Sequence, residues 1–244
     1  MASSSKLALP PTELEAGDRR YAGPGTGTMM GWKLPWGVGF CRVDDELVFA
    51  DLTRDKYLVL RGDDRAAFER LQSGDLNGND AITRLAATGL IAPCKAENAI
   101  EATTIAVPGC DLAGAQAGFS WPMACSAAAA LWRAHRAIKL QRVASALARR
   151  AHRRSAACAS SDEKLSFVAA GYAACRWAIP VEPRCLIDAL ALDDILLRRG
   201  LAATLVFGVR LNPFAAHCWL QTTRLLLTGT AAEARNFTPI MVIG

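Results

Sequence analysis

The sequence predicts an α+β protein made of two successive units, and three patterns carry that prediction. Early in the chain, short alternating runs broken by turn residues lead into helix-period sequence, which reads as a small sheet followed by helices. From about Met123 onward, Ala-rich segments with strong helix propensity take over. After Gly200 the pattern returns to β-branched and aromatic runs, so the second unit places its helices before its strands.

Residues 1–28 hold Ser3, Ser4 and Ser5, Pro10 and Pro11, and the run Gly23-Pro24-Gly25-Thr26-Gly27, with no packable periodicity. They read as an unstructured tail, or as a start assigned upstream of Met29 and Met30. The small unit occupies residues 29–91. Its predicted strands are Val38–Val43, Glu46–Asp51 and Lys56–Leu60, with turns at Asp44-Asp45 and Thr53-Arg54-Asp55. Asp64 is the expected N-cap of a helix that turns Ala67, Phe68 and Leu71 to one face. A second helix is expected over 80–87, stopped by Gly89. The unit has no constellation of His, Cys or paired carboxylates, so it reads as a binding module. Residues 92–120, with Pro93, Pro108, Gly109, Gly114 and Gly118, read as a linker.

The second unit spans 121–244. Residues 123–152 are helical by propensity, with Leu131, Ala134, Ile138, Val143 and Leu147 as the apolar stripe. Asp162 is the expected cap of the next helix, which carries Phe167, Val168, Tyr172 and Trp177 and is ended by Pro180. A helix headed by Cys185 and stopped by Gly200 follows. Strands are expected over 203–211, 217–221, 225–228 and Thr238–Ile243.

Composition narrows the function classes. Hydrophobic residues make up 52% of the 244, enough for a sizeable core. The eight cysteines include no Cys-x-x-Cys pair and the chain has no secretory start, so reduced thiols in the cytoplasm are expected. The longest apolar run, 121–132, is too short to span a bilayer. The net charge of +5 is uneven: residues 112–161 contain no Asp or Glu, but they include Arg133, Arg136, Arg149, Arg150, Arg153 and Arg154. Without interleaved aromatics or a nucleic-acid motif, that stretch reads as a solvated face or a protein-docking surface, with no nucleic acid and no membrane as partner. His135 and His152 have no companion ligand, so no metal site is expected.

Chemistry concentrates in the second unit. Cys185 stands two residues after Pro183 at the head of a helix, and His217 lies 32 positions on, in a strand. A helix N-terminus favours the thiolate and offers free N–H groups to an oxyanion, and a nearby His supplies the base. No Gly-x-Ser-x-Gly and no P-loop competes with this pair. Cys218 is expected to point to the opposite strand face and pack. Trp219 shares the face of His217, where shielding the ring and simple packing are equal readings. Asp188 is expected to favour the first turn of the Cys185 helix.

The run Cys185-Leu-Ile-Asp-Ala-Leu-Ala-Leu192, with Arg198-Arg199-Gly200, Leu205-Val-Phe-Gly-Val-Arg210, Pro213-Phe-Ala-Ala-His217-Cys-Trp219 and Phe237-Thr-Pro-Ile240, resembles the B protein of lasso-peptide biosynthesis. That family is a leader peptidase with a papain- and transglutaminase-like core. The strands and helices of 37–91, with Leu52 and Tyr57-Leu58-Val59-Leu60, resemble the winged-helix-like PqqD-type recognition domain fused to such proteins. The resemblance implies cleavage of a leader from a precursor peptide, beside an asparagine-synthetase-like cyclase. It implies no cofactor on this chain, with any ATP entering through the cyclase. The leader would add as a strand to the Lys56, Tyr57, Leu58, Val59 edge. The sequence departs from the family at the third triad position: an Asp is expected twelve residues after the His, and Gly229 stands there. Gln221, Glu233 and Asn236 are the candidates to orient His217 instead. The alternative reading is a leader-binding scaffold with a weak or inactive core.

Overall fold

Strand alternation in the first unit sorts its side chains onto two faces, and both faces are buried. The computed structural model describes residues 31–75, 79–95, 100–112, 117–139, 143–155 and 161–244. The tail over 1–28 lies outside the described residues. The chain runs β1 (Gly31–Lys33), β2 (Val38–Val43), β3 (Glu46–Asp51), β4 (Lys56–Leu60), α1 (Gly62–Gln72), α2 (Asn79–Thr88) and β5 (Ala92–Cys94). It continues as α3 (Trp121–Lys139), α4 (Val143–Ser155), α5 (Asp162–Arg176), α6 (Cys185–Arg198), β6 (Thr204–Arg210), β7 (Ala215–Gln221), α7 (Ala231–Ala234) and β8 (Thr238–Ile243).

The first sheet has the order β2-β3-β4, all antiparallel. Asp44 and Asp45 both take positive φ (46° and 65°), the backbone of a two-residue hairpin whose twist matches its strands. Asp51 closes the next turn by accepting from the Thr53 and Arg54 N–H groups. One face, with Phe40, Leu47 and Phe49, packs on Phe68 and Leu71 of α1 and Leu85 of α2. Phe68 meets Phe40 and Phe49 edge-on at 5.0 and 4.9 Å, contacts worth about 0.5–1.5 kcal/mol each beyond area burial.

The other face, with Cys41, Val43, Val48 and Ala50, enters the main core beside residues of α3, α5, α6 and the second sheet. Burial there pushes the Cys41 thiol up to about 12. The second sheet has the order β7-β6-β8, again antiparallel, and β2 lies against β8. Gly39 makes that approach feasible: a Cβ at this position would overlap the Ile240 carbonyl oxygen and stand 3.1 Å from Met241 Cβ.

Several expectations change. Asp64 does not cap α1; the N-cap is Arg61, extended and without a side-chain bond, and Asp64 sits in the first turn. Ser161 rather than Asp162 caps α5, its hydroxyl accepting from Lys164 N–H. The helical stretch 123–152 is two helices, α3 and α4. Residues 225–228 form only isolated bridges, Leu225 with Cys110 and Leu226 with Gln221. Unforeseen were the β1–β5 pair and α7, each too short to show a period. Of the arginines in α3 and α4, Arg150 and Arg154 are buried and depart from the expected solvated or docking surface, whereas Arg136 and Arg149 are exposed. Among the described residues no helix is long and apolar enough to cross a membrane, and no group of His, Cys, Asp and Glu is arranged to hold a metal.

Candidate active site

The head of α6 is built by α5. Arg184, the N-cap, is extended (φ −141°, ψ 130°), and its N–H donates to Asp188 Oδ2 at 3.1 Å. Asp188 also accepts from the Tyr172 hydroxyl at 2.7 Å and Arg176 Nε at 2.5 Å. Arg176 further donates to the Ile179 and Val181 carbonyls, tying down the loop that leads to Cys185. Asp188 is thus a first-turn anchor, as its position predicted. The Arg184 side chain makes no capping bond, so the first-turn N–H groups beside the exposed Cys185 remain free for an incoming carbonyl oxygen.

His217 lies on β7, directly opposite Gly208 of β6. Alternation along β7 turns Cys218 and Leu220 into the helix-facing core, and turns His217 and Trp219 to the other side. There the imidazole is stacked between Trp219 (5.7 Å, 24°) and Phe237 (5.1 Å, 28°) and is 9% exposed. Trp219 therefore both packs and shields the ring. Its Nε1 donates to Gln221 Oε1 at 2.7 Å, and Gln221 Nε2 donates to the Ala106 carbonyl at 2.9 Å. Gln221 is committed to this chain of bonds and does not orient His217.

Gly229 lies beside the ring: a Cβ there would stand 3.6 Å from His217 Nε2. With no side chain at Gly229 (φ +72°), Nε2 is buried without a hydrogen-bond partner. Glu233 approaches the other nitrogen, Oε1 lying 4.0 Å from Nδ1. Its helix α7 is fixed by Thr230, whose hydroxyl accepts from Glu233 N–H at 3.2 Å, and by Asp111, which accepts from Ala231 N–H at 3.0 Å. Burial lowers the His217 pKa below its ordinary value, and the Glu233 charge opposes that fall. A neutral ring is the form that accepts a proton.

Helix α6 packs on β7, so the elements carrying Cys185 and His217 are neighbours. No hydrogen bond joins the two side chains in this structure. The thiol lies within electrostatic reach of Cys218 and Tyr57. Burial pushes both of these up, Tyr57 to about 12, and a charge on Cys185 adds to each shift. Tyr57 reaches this place from β4, its ring 5.5 Å from that of Phe214 in the β6–β7 turn. Of the residues assigned to leader binding, Lys56, Leu58 and Val59 are exposed, whereas Tyr57 turns toward the second unit. On its outer side β4 has no strand partner among the described residues. Glu233, one of the three residues the sequence offered to orient His217, is brought to the ring by α7 from sixteen positions along the chain.

Residues 127–242 match the transglutaminase-like superfamily. No curated protein and no solved structure matches the chain. The transglutaminase-like domain takes in Cys185, His217 and the position of Gly229, within a superfamily that includes cysteine peptidases.

Proposed function

We infer that the chain is a cysteine peptidase that binds a lasso-peptide precursor by its leader, removes the leader, and passes the core peptide to an asparagine-synthetase-like cyclase in the cytoplasm. The observation that carries the chemistry is the uncapped head of α6, with exposed Cys185, packed on the strand of a buried, neutral-leaning His217. The thiol would give its proton to His217 and attack the scissile carbonyl carbon. The resulting oxyanion would sit on the first-turn N–H groups. Collapse forms a thioester and expels the amine, which takes the proton from His217. Water then hydrolyses the thioester. In this structure His217 faces away from α6, so the reading requires the imidazole to turn from the Trp219 side of β7 toward the thiol in the substrate complex. In this reading Glu233 stabilises the imidazolium electrostatically from the Nδ1 side, whereas the carboxylate missing at Gly229 would have faced Nε2.

The β2-β3-β4 sheet followed by two helices supports a PqqD-like recognition unit, with the leader added along the open edge of β4. The absent acid at Gly229 favours the second reading, a scaffold that delivers the precursor without cutting it. Incubation with the cognate precursor, followed by mass spectrometry, separates the two. Cleavage by the native chain and loss of cleavage with retained binding in Cys185→Ala are expected. Full cleavage by Cys185→Ala would remove the peptidase mechanism, and no cleavage by the native chain would leave the scaffold.

A further inference from the structure

The basic stretch folds into a cleft rather than a stripe. Helices α3 and α4 line a cavity of about 330 Å³ with Arg133, Arg136, Arg149, Arg150 and Arg153, and α6 supplies Asp194. Asp194 is almost fully buried and accepts from Arg133 Nη2 at 2.6 Å, Arg153 Nη1 at 3.4 Å and Arg198 Nε at 3.0 Å. Behind it Asp193, fully buried, pairs with Arg154 and, at 3.3 Å, with Arg150.

These ion pairs fasten α3 and α4 to α6, but they leave the cluster unbalanced. Seven guanidinium groups face two carboxylates, an excess of five positive charges (7 − 2). The remainder of the chain is neutral, since 28 − 7 basic and 23 − 2 acidic residues both leave 21. The cluster's excess thus equals the chain's net charge, and five of its arginines with Asp194 line the cavity. Arg149 has no acidic partner among the described residues, and neither has Arg136, whose guanidinium lies over the exposed Trp132 ring at 5.5 Å. Neither guanidinium is tied to a carboxylate among the described residues, so both are open to an external anion. Crowded like charges cost stability unless an anion joins them.

We propose that this cleft binds a di- or triphosphate group, held by Arg136 and Arg149 at the rim and by the unused guanidinium nitrogens of Arg133 and Arg153. Arginine forks match the oxygens of phosphate in pairs, and several forks converging on a small hollow suit a compact, multiply charged anion. The volume fits a short phosphate chain. It does not suit a nucleic-acid strand, which needs an extended basic track with stacking aromatics.

The site is separate from Cys185 and His217, so its test does not depend on cleavage. Inorganic triphosphate is titrated into the full chain at constant ionic strength, read by calorimetry and by Trp132 fluorescence. Saturable one-to-one binding and a raised melting temperature are expected, with affinity falling about tenfold or more in R136Q/R149Q. Both arginines are exposed and have no carboxylate partner among the described residues, so that variant should keep its circular dichroism; the melting shift of the native chain tests the proposal independently. A parallel ATP titration separates a nucleotide from an inorganic source: tighter binding of ATP identifies the nucleotide, and equal or weaker binding identifies the phosphate chain, each in keeping with the proposal. The proposal is overturned if triphosphate does not saturate, if sulfate at equal ionic strength does the same, if R136Q/R149Q binds as well as the native chain, or if a Glu-rich peptide of equal charge binds more tightly.

Discussion

Replacing Glu233 with Gln isolates what a carboxylate at Nδ1 contributes to His217. The change preserves shape and removes one negative charge 4.0 Å from the ring. Glu233 is 54% exposed, so the water-like form of Coulomb's law applies and gives about 1 kcal/mol. Losing it should make the imidazolium about fivefold less populated relative to the neutral ring. Burial already disfavours protonation, and the substitution acts in the same direction. If His217 takes the Cys185 proton, the reactive thiolate–imidazolium pair should fall by the same factor. The assay is iodoacetamide alkylation near pH 6.5 with peptide mapping, using the exposed Cys110 and Cys125 as internal references. Cys185 should slow about fivefold relative to them, and in a His217→Gln background the Glu233 substitution should add nothing. An unchanged ratio of Cys185 to Cys125 labelling would refute the pairing of Glu233 with His217 and, with it, the role assigned to α7.

The remaining predictions concern pH, packing and the leader edge. His217 has a folded pKa below its unfolded one, so the unfolded chain binds more protons in the interval between them. Its contribution to stability is therefore complete above the unfolded value near pH 6.5 and is lost as pH falls through that interval; urea unfolding at pH 7.5 and 5.5 should show the loss, reduced in His217→Gln. Gly39→Ala should destabilise the chain by about 1–3 kcal/mol, because the Ile240 carbonyl belongs to backbone and cannot step aside; a melting temperature equal to that of the native chain would separate the two sheets. Val59→Pro, on the exposed β4 edge, should weaken leader binding about tenfold, or 1.4 kcal/mol, while Cys185 still reacts with a small electrophile. Unchanged affinity in a variant that keeps its circular dichroism would place the leader elsewhere.

Local pattern determined a good deal of this protein. Period-two alternation placed β2, β3 and β4 at their observed bounds, and Gly200, with φ +72°, ends α6 as glycine's freedom allows. These readings succeed because each rests on the chain's own periodicity or on one residue's backbone. What needed the tertiary structure were the contacts between segments distant in sequence. Gly229, where the resemblance implied a carboxylate, lies beside the His217 ring, a proximity that only the tertiary structure shows. Glu233 reaches His217 only because a one-turn helix, too short for any periodic signal, folds back over the sheet. The two faces of the first sheet look alike as alternation, and only packing against β8 and the helices showed that both are buried and that Tyr57 turns toward Cys185. Likewise the arginines of α3 and α4 read as a solvated or docking surface, because the carboxylates that bind Arg133, Arg153 and Arg154, Asp193 and Asp194, lie about 40 to 60 residues further along the chain. Long-range electrostatics and side-chain burial depend on which elements meet, and local sequence carries no direct record of that.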